Sequence, residues 1–117
     1  MNIEYVHQPS HDPVDHGQFV DSYQSISVPM VDHAVTVCLW STNVDVILSV
    51  RVTDNAGTDH YEQFTLYAGA PQCVKFADLP GREAGVAFGA ELPASAEQET
   101  RDEFQRNGVG FTIYGDN

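Results

Sequence analysis

Between Val44 and Thr53 the chain alternates: Val44, Val46, Leu48, Val50 and Val52 are aliphatic, and Asp45, Ser49, Arg51 and Thr53 between them are polar, with Ile47 the one apolar exception. A period of two places alternate side chains on opposite faces of a strand, and no helix presents such a pattern as one apolar stripe. Asp54-Asn55-Ala56-Gly57 follows, where Asx and Gly residues suit a tight turn. The alternation then returns over His60–Tyr67, with Tyr61, Gln63, Thr65 and Tyr67 on one face and Glu62, Phe64 and Leu66 on the other. The segment from Val44 to Tyr67 therefore predicts a long antiparallel hairpin, and any fold for this chain must be built around it.

The rest of the chain extends the same theme. Val35, Val37 and Leu39 alternate with Thr36, Cys38 and Trp40, and Val109, Phe111 and Ile113 repeat the pattern near the end. Further strands are expected at Phe19–Val28, closed by Pro29, at Gln72–Ala77, and at Ala84–Leu92, where Gly85 and Gly89 weaken the strand or mark a bulge. Residues 8–17, with Pro9, Pro13 and Gly17, read as an irregular or polyproline-like stretch, and a short edge strand is expected before it at Asn2–His7. One helix is expected near 95–106, with Ser95 as its cap, Gln98 three residues on, and Asn107-Gly108 as its stop. The fold expected is all-β: a single β-sandwich or jelly-roll-like domain over 18–117, preceded by an extended N-terminal arm over 1–17, with at most that one short helix.

The charge is lopsided, with 17 acids against 5 Lys and Arg for a net −12 over 117 residues, and the first basic side chain is Arg51. Direct nucleic-acid binding, which begins with Lys and Arg neutralising phosphates, is disfavoured, and so is an anionic membrane surface. Met1–Tyr5 lacks a basic stretch and no apolar stretch follows, which predicts no signal peptide. No apolar run is long enough to cross a bilayer as a helix. The absence of an export signal points to a reducing compartment, in which Cys38 and Cys73 are expected as small buried hydrophobes rather than a bridge.

Chemistry-bearing clusters are few. His7, His11 and His16, with Asp12, are ligand types within ten residues, but their spacing matches no known metal motif, and a solvated or partner-contacting arm is the better expectation. Asp54, Asn55, Asp59 and Glu62 offer oxygens around the hairpin turn without the spacing of a calcium loop. No nucleophile elbow, phosphate-binding glycine loop or base-flanked cysteine is present, so neither catalysis nor a cofactor is expected. Trp40, Tyr61, Tyr67 and Tyr114 would form a carbohydrate-stacking surface if they shared one exposed face.

These features favour a non-catalytic structural or interaction protein. The reading is of a small accessory component of a virus- or bacteriophage-type particle, whether decoration, cement or tail, in the virion or the cytoplasm. Its partners would be other protein subunits of the assembly, with the chain itself present as a homo-oligomer or in repeated copies. Contacts would come from His7, His11 and His16 on the arm and from Glu97, Glu99, Asp102 and Glu103 on the helix. Two alternatives stand beside it. One is an acidic nucleic-acid mimic that occupies the basic groove of a nucleic-acid enzyme, presenting Glu91, Glu97, Glu99, Asp102 and Glu103. The other is a carbohydrate- or ligand-binding sandwich.

Overall fold

The computed structural model describes residues 2–41 and 43–115. Its centre is the expected hairpin: β5 (Val46–Thr53) pairs with β6 (Asp59–Leu66) in continuous register from Val46↔Leu66 to Thr53↔Asp59. Val46, Leu48, Val50 and Val52 are fully buried, as their alternation requires. At the turn the Asp54 carboxylate accepts hydrogen bonds from the backbone N–H groups of Ala56 (2.8 Å) and Thr58 (3.1 Å). Gly57 supplies the left-handed conformation there, with φ +85°.

On either side of this hairpin the chain keeps pairing with itself. β4 (Val35–Trp40) pairs with β7 (Gln72–Ala77), β3 (Ser22–Pro29) with β8 (Glu83–Glu91), and β2 (Asp15–Phe19) with β9 (Val109–Tyr114), every pair antiparallel. Successive pairs fall in alternate sheets, so the molecule is one long hairpin rolled upon itself. Rolling brings β9 beside β4 and β8 beside β5. With β1 (Asn2–Val6) at one edge, the two sheets then run β1-β7-β4-β9-β2 and β3-β8-β5-β6. Strands β2 to β9 thus have the nested order of an eight-stranded jelly roll, and β1 is an extra strand on β7.

Between the sheets lie the inward apolar side chains of β4, β5, β7 and β9, with Val35, Val37, Leu39, Val74, Phe76 and Ile113 all fully buried. Aromatic rings close one end: Tyr23 meets Phe111 with centroids 4.6 Å apart and stacks on Phe88 at 5.4 Å. The Tyr23 hydroxyl donates to Asp15, which ties β3 of one sheet to β2 of the other. Burial of the phenol, followed by that bond and the Asp15 charge, pushes the Tyr23 pKa up to about 12.

Several details differ from expectation. The stretch expected as one strand at Phe19–Val28 is the end of β2 and most of β3, divided at Val20–Asp21, where the chain changes sheets and Asp21 takes φ 67°. The helix α1 is Gln98–Asn107; Glu97 rather than Ser95 occupies the N-cap, without a side-chain bond to the helix. The loop before it is held from the helix side, by Arg101 donating to the carbonyls of Pro93 (3.2 Å) and Ala94 (3.4 Å), and Phe104 anchors the helix in the core.

The largest differences concern the N-terminal segment and the cysteines. Residues 2–6 form the edge strand expected at Asn2–His7, and residues 15–19 form the opposite edge of the five-stranded sheet, so the segment expected as an arm is extended but built into the sandwich. Residues 7–14 must then span four inter-strand steps, about 19 Å, from β1 to β2. They cross the outer face of the sheet as a strap. Gln8 Nε2 donates to the Tyr114 hydroxyl (3.2 Å) and the His11 ring meets Tyr114 edge-on at 5.3 Å, so Tyr114, on the outward side of β9, is buried. In the same outer cluster Cys38 and Cys73, directly opposite one another on β4 and β7, form a disulfide and pack with Val6. Burial was rightly expected for both; their register, a long-range property, is what converts two buried thiols into a bridge. Among the described residues no helix is long and apolar enough to cross a membrane.

Candidate ligand-binding face

The outer face of the four-stranded sheet is open, and its middle is a trough. Along β8 the inward residues Ala84, Val86 and Phe88 enter the core, leaving Gly85, Ala87 and Gly89 outward. Three small residues in succession lower the floor of the sheet. Opposite Ala87 on β3, two residues stand against one, so the irregularity expected on β8 from its glycines is a bulge in its neighbour. On the other side β5 presents Ser49 and Arg51, and β6 beyond it presents the exposed Tyr61 and Gln63. Arg51 stands directly opposite both Tyr61 and Ala87 in the two ladders. The resulting groove encloses about 240 Å³, with Ser22, Ser49, Arg51 and Tyr61 along its walls. That is smaller than the roughly 300–1,000 Å³ of pockets that take drug-sized molecules, and it has room for a single ring.

Two features of the trough are not required by the fold. Among the described residues Arg51 has no hydrogen-bond or ion-pair partner, and its Nε is buried without an acceptor. Leaving a buried donor unsatisfied costs about 1–3 kcal/mol, so an acceptor supplied from outside would recover free energy. Gly89 is the second feature. A Cβ there would meet nothing nearer than Ser49 Cβ at 4.0 Å, an ordinary contact, so packing does not demand glycine. A methyl group would instead rise from the trough floor. Gly110 is a contrast: a Cβ there would collide with the Trp40 indole, so packing alone explains that glycine.

Of the carboxylates on this face, Asp59 and Glu83 are engaged at the Gly85 end, and Glu91, two residues past Gly89 on β8, is exposed at the other. Thr53 donates to Asp59 (2.6 Å), Ser27 donates to Glu83 (3.1 Å), and Gln63 Nε2 donates to Ser49 Oγ (3.3 Å). What the groove can do is accept oxygen-rich matter against Arg51 and the serine hydroxyls, with an aromatic ring at its side.

No family model, curated protein or solved structure matches this chain. The assignment of roles therefore rests on the geometry of the molecule itself.

The residues singled out from sequence are distributed differently. Among the described residues no three His, Cys, Asp or Glu groups converge as a metal site. His7 follows β1 at one edge of the five-stranded sheet, His16 lies on β2 at the other, His11 sits on the strap against Tyr114, and Asp12 is exposed beside it. At the hairpin turn the oxygens are occupied. Asp54 bonds His60 Nε2 at 2.8 Å, and this bond, reinforced by the Thr58 and Ala56 N–H groups, holds its carboxyl below the ordinary value against the opposing effect of burial. Asn55 accepts from the Glu83 N–H (3.3 Å). Glu97 and Glu99 are exposed at the start of α1, Asp102 accepts from Gln98 (2.9 Å), and Glu103 is half-buried.

The four aromatics divide between faces. Tyr61 is exposed on the open face and Tyr67 is exposed just past the end of β6, whereas Trp40 and Tyr114 lie on the strapped face. Arg51, Ser22 and Ser49 were not singled out from sequence as site residues, and Gly89 was read only as weakening its strand or marking a bulge. Their signal was present in Gly85-x-Ala87-x-Gly89, three small residues at period two, which mark one face of a strand as a floor.

Proposed function

We propose that this protein is a non-catalytic binding module that takes an oxygen-rich ligand, a saccharide, in the trough over β8. The buried and unpartnered Nε of Arg51 carries this reading, since a site rather than a fold is the proper ground for function. Tyr61 offers the ring face on which a sugar stacks, and Ser22 and Ser49 offer hydroxyl partners. The test is a saccharide panel titrated against the wild-type protein and Gly89→Ala. Binding by the wild type that weakens several-fold in the variant, at unchanged thermal stability, is expected. Absence of binding to every saccharide in the panel would refute the module.

A place in a virus- or bacteriophage-type particle is a second reading, favoured by the strand order, which capsid and lectin domains share. The buried disulfide supports an oxidising location such as a particle surface over the cytoplasm. The two readings are compatible, because a particle component can carry a binding face. Co-purification with a particle, with light scattering to give copy number, supports the second; a lone monomer in every preparation removes it.

A further inference from the structure

Resting on the binding-module reading, we infer that the ligand is an acidic sugar at the end of a glycan, whose carboxylate pairs with Arg51 while its ring lies against Tyr61. The trough brings together a cation and an aromatic ring as direct cross-strand neighbours, Arg51↔Tyr61, above a floor made of Ala87 and Gly89. A neutral sugar would satisfy the Arg51 Nε with a hydroxyl, but a carboxylate forms the shorter and stronger charge-assisted bond, and the guanidinium fork matches its two oxygens. Among the described residues no carboxylate forms an ion pair with Arg51: Asp59 and Glu83 are held by Thr53 and Ser27, and Glu91, exposed on the same face two residues past Gly89, does not reach it.

Size and charge restrict the ligand further. About 240 Å³ holds one ring, and the site offers one guanidinium. A chain of net charge −12 repels a densely charged polyanion over a screening length of about 8 Å at physiological salt. A single carboxylate on a terminal residue incurs little of that repulsion and gains the local pairing in full. The inferred ligand is therefore a glycan end with one acid group rather than a polyuronate.

Methyl glucuronide and methyl glucoside are the discriminating probes, since their ring scaffolds are alike and only one carries a carboxylate. Each is titrated into the full chain while NMR follows the Arg51 Nε–H and the Tyr61 ring. The expected result is at least tenfold tighter binding of the glucuronide, with a shift of the Nε–H resonance on saturation. In Arg51→Gln that preference should fall to about one while weak binding of both glycosides persists. In Tyr61→Ala both should weaken together. Equal affinity of the two glycosides for the wild type would overturn the acidic-sugar inference and leave the saccharide module standing. Failure of both, and of every other saccharide in the panel, would remove module and inference together. Thermal melts of each variant identify any loss that comes from unfolding, and Gly89→Ala, which blocks the same trough by an independent route, then decides the outcome.

Discussion

Reducing the Cys38–Cys73 disulfide should cost the protein a large part of its stability. The bridge joins residues 35 apart in sequence, and its main effect is to deny the unfolded chain the freedom of that loop. With the chain-entropy relation, closing a loop of 35 residues removes about 13 cal/mol/K, or about 4 kcal/mol at 25 °C. Native domains are stable by about 5–15 kcal/mol, so the loss is a quarter or more of the total. At about 2.1 cal/mol/K per residue, unfolding a chain of 117 residues carries about 0.25 kcal/mol/K. The melting temperature should therefore fall by about 15 °C.

The assay is urea unfolding, monitored by Trp40 fluorescence, of the oxidised protein and of protein reduced while unfolded and refolded under reductant. Both thiols stay in place in the reduced form, so the comparison isolates the cross-link from packing. The double variant Cys38→Ala/Cys73→Ala adds the packing part. A reduced protein within 1 kcal/mol of the oxidised one would refute the reasoning and show that the strap and strands already hold the loop ends together in the unfolded ensemble.

Two further outcomes follow from local geometry. Gly110→Ala should drive the Trp40 indole off β9, giving a red-shifted emission and a destabilisation of about 1–3 kcal/mol, the usual cost of overpacking; unchanged emission would show that the indole has room to give way. Because the folded carboxyl of Asp54 lies below its ordinary 3.8, it contributes stability that is fully present above that pH and is lost as pH falls through the folded value. Asp54→Asn should remove this part of the acid sensitivity, and an acid unfolding profile that keeps the wild-type shape would contradict it.

The hairpin β5/β6 was legible because three signals agreed: alternation on both strands, the faces they assign, and the Asx-Gly turn. Alternation tells which side chains point inward. It does not tell which of two sheets a strand joins, so the change of sheet at Asp21 was read as continuous strand. Nor does it anticipate that an outward face can be covered. Cys38 and Tyr114 point away from the core yet are buried, Tyr114 against Gln8 and His11 on the strap and Cys38 against the opposed cysteine. The pairing of Cys38 with Cys73 depends on register between strands separated by the whole central hairpin, and nothing local encodes it. At the trough, Gly85 and Gly89 were visible as strand-weakening residues. Their role as a floor needed the neighbours on β3, β5 and β6, which only the sheet order supplies.

The rolled hairpin also has a consequence for how the chain is made. Its partners are arranged symmetrically about Asp54–Thr58, so β1 through β4 are all synthesised before any strand they pair with, and β5 is the first to find its partner promptly. During translation the strands before β5, the apolar β4 among them, emerge before their partners exist, the state in which edge-seeking segments aggregate. Loop closure favours pairing that spreads from the centre, since β5/β6, β4/β7, β3/β8 and β2/β9 close successively longer loops. The eight acids and single base in residues 1–60 keep this first half of the chain soluble, a service the charge performs before there is any fold for it to decorate.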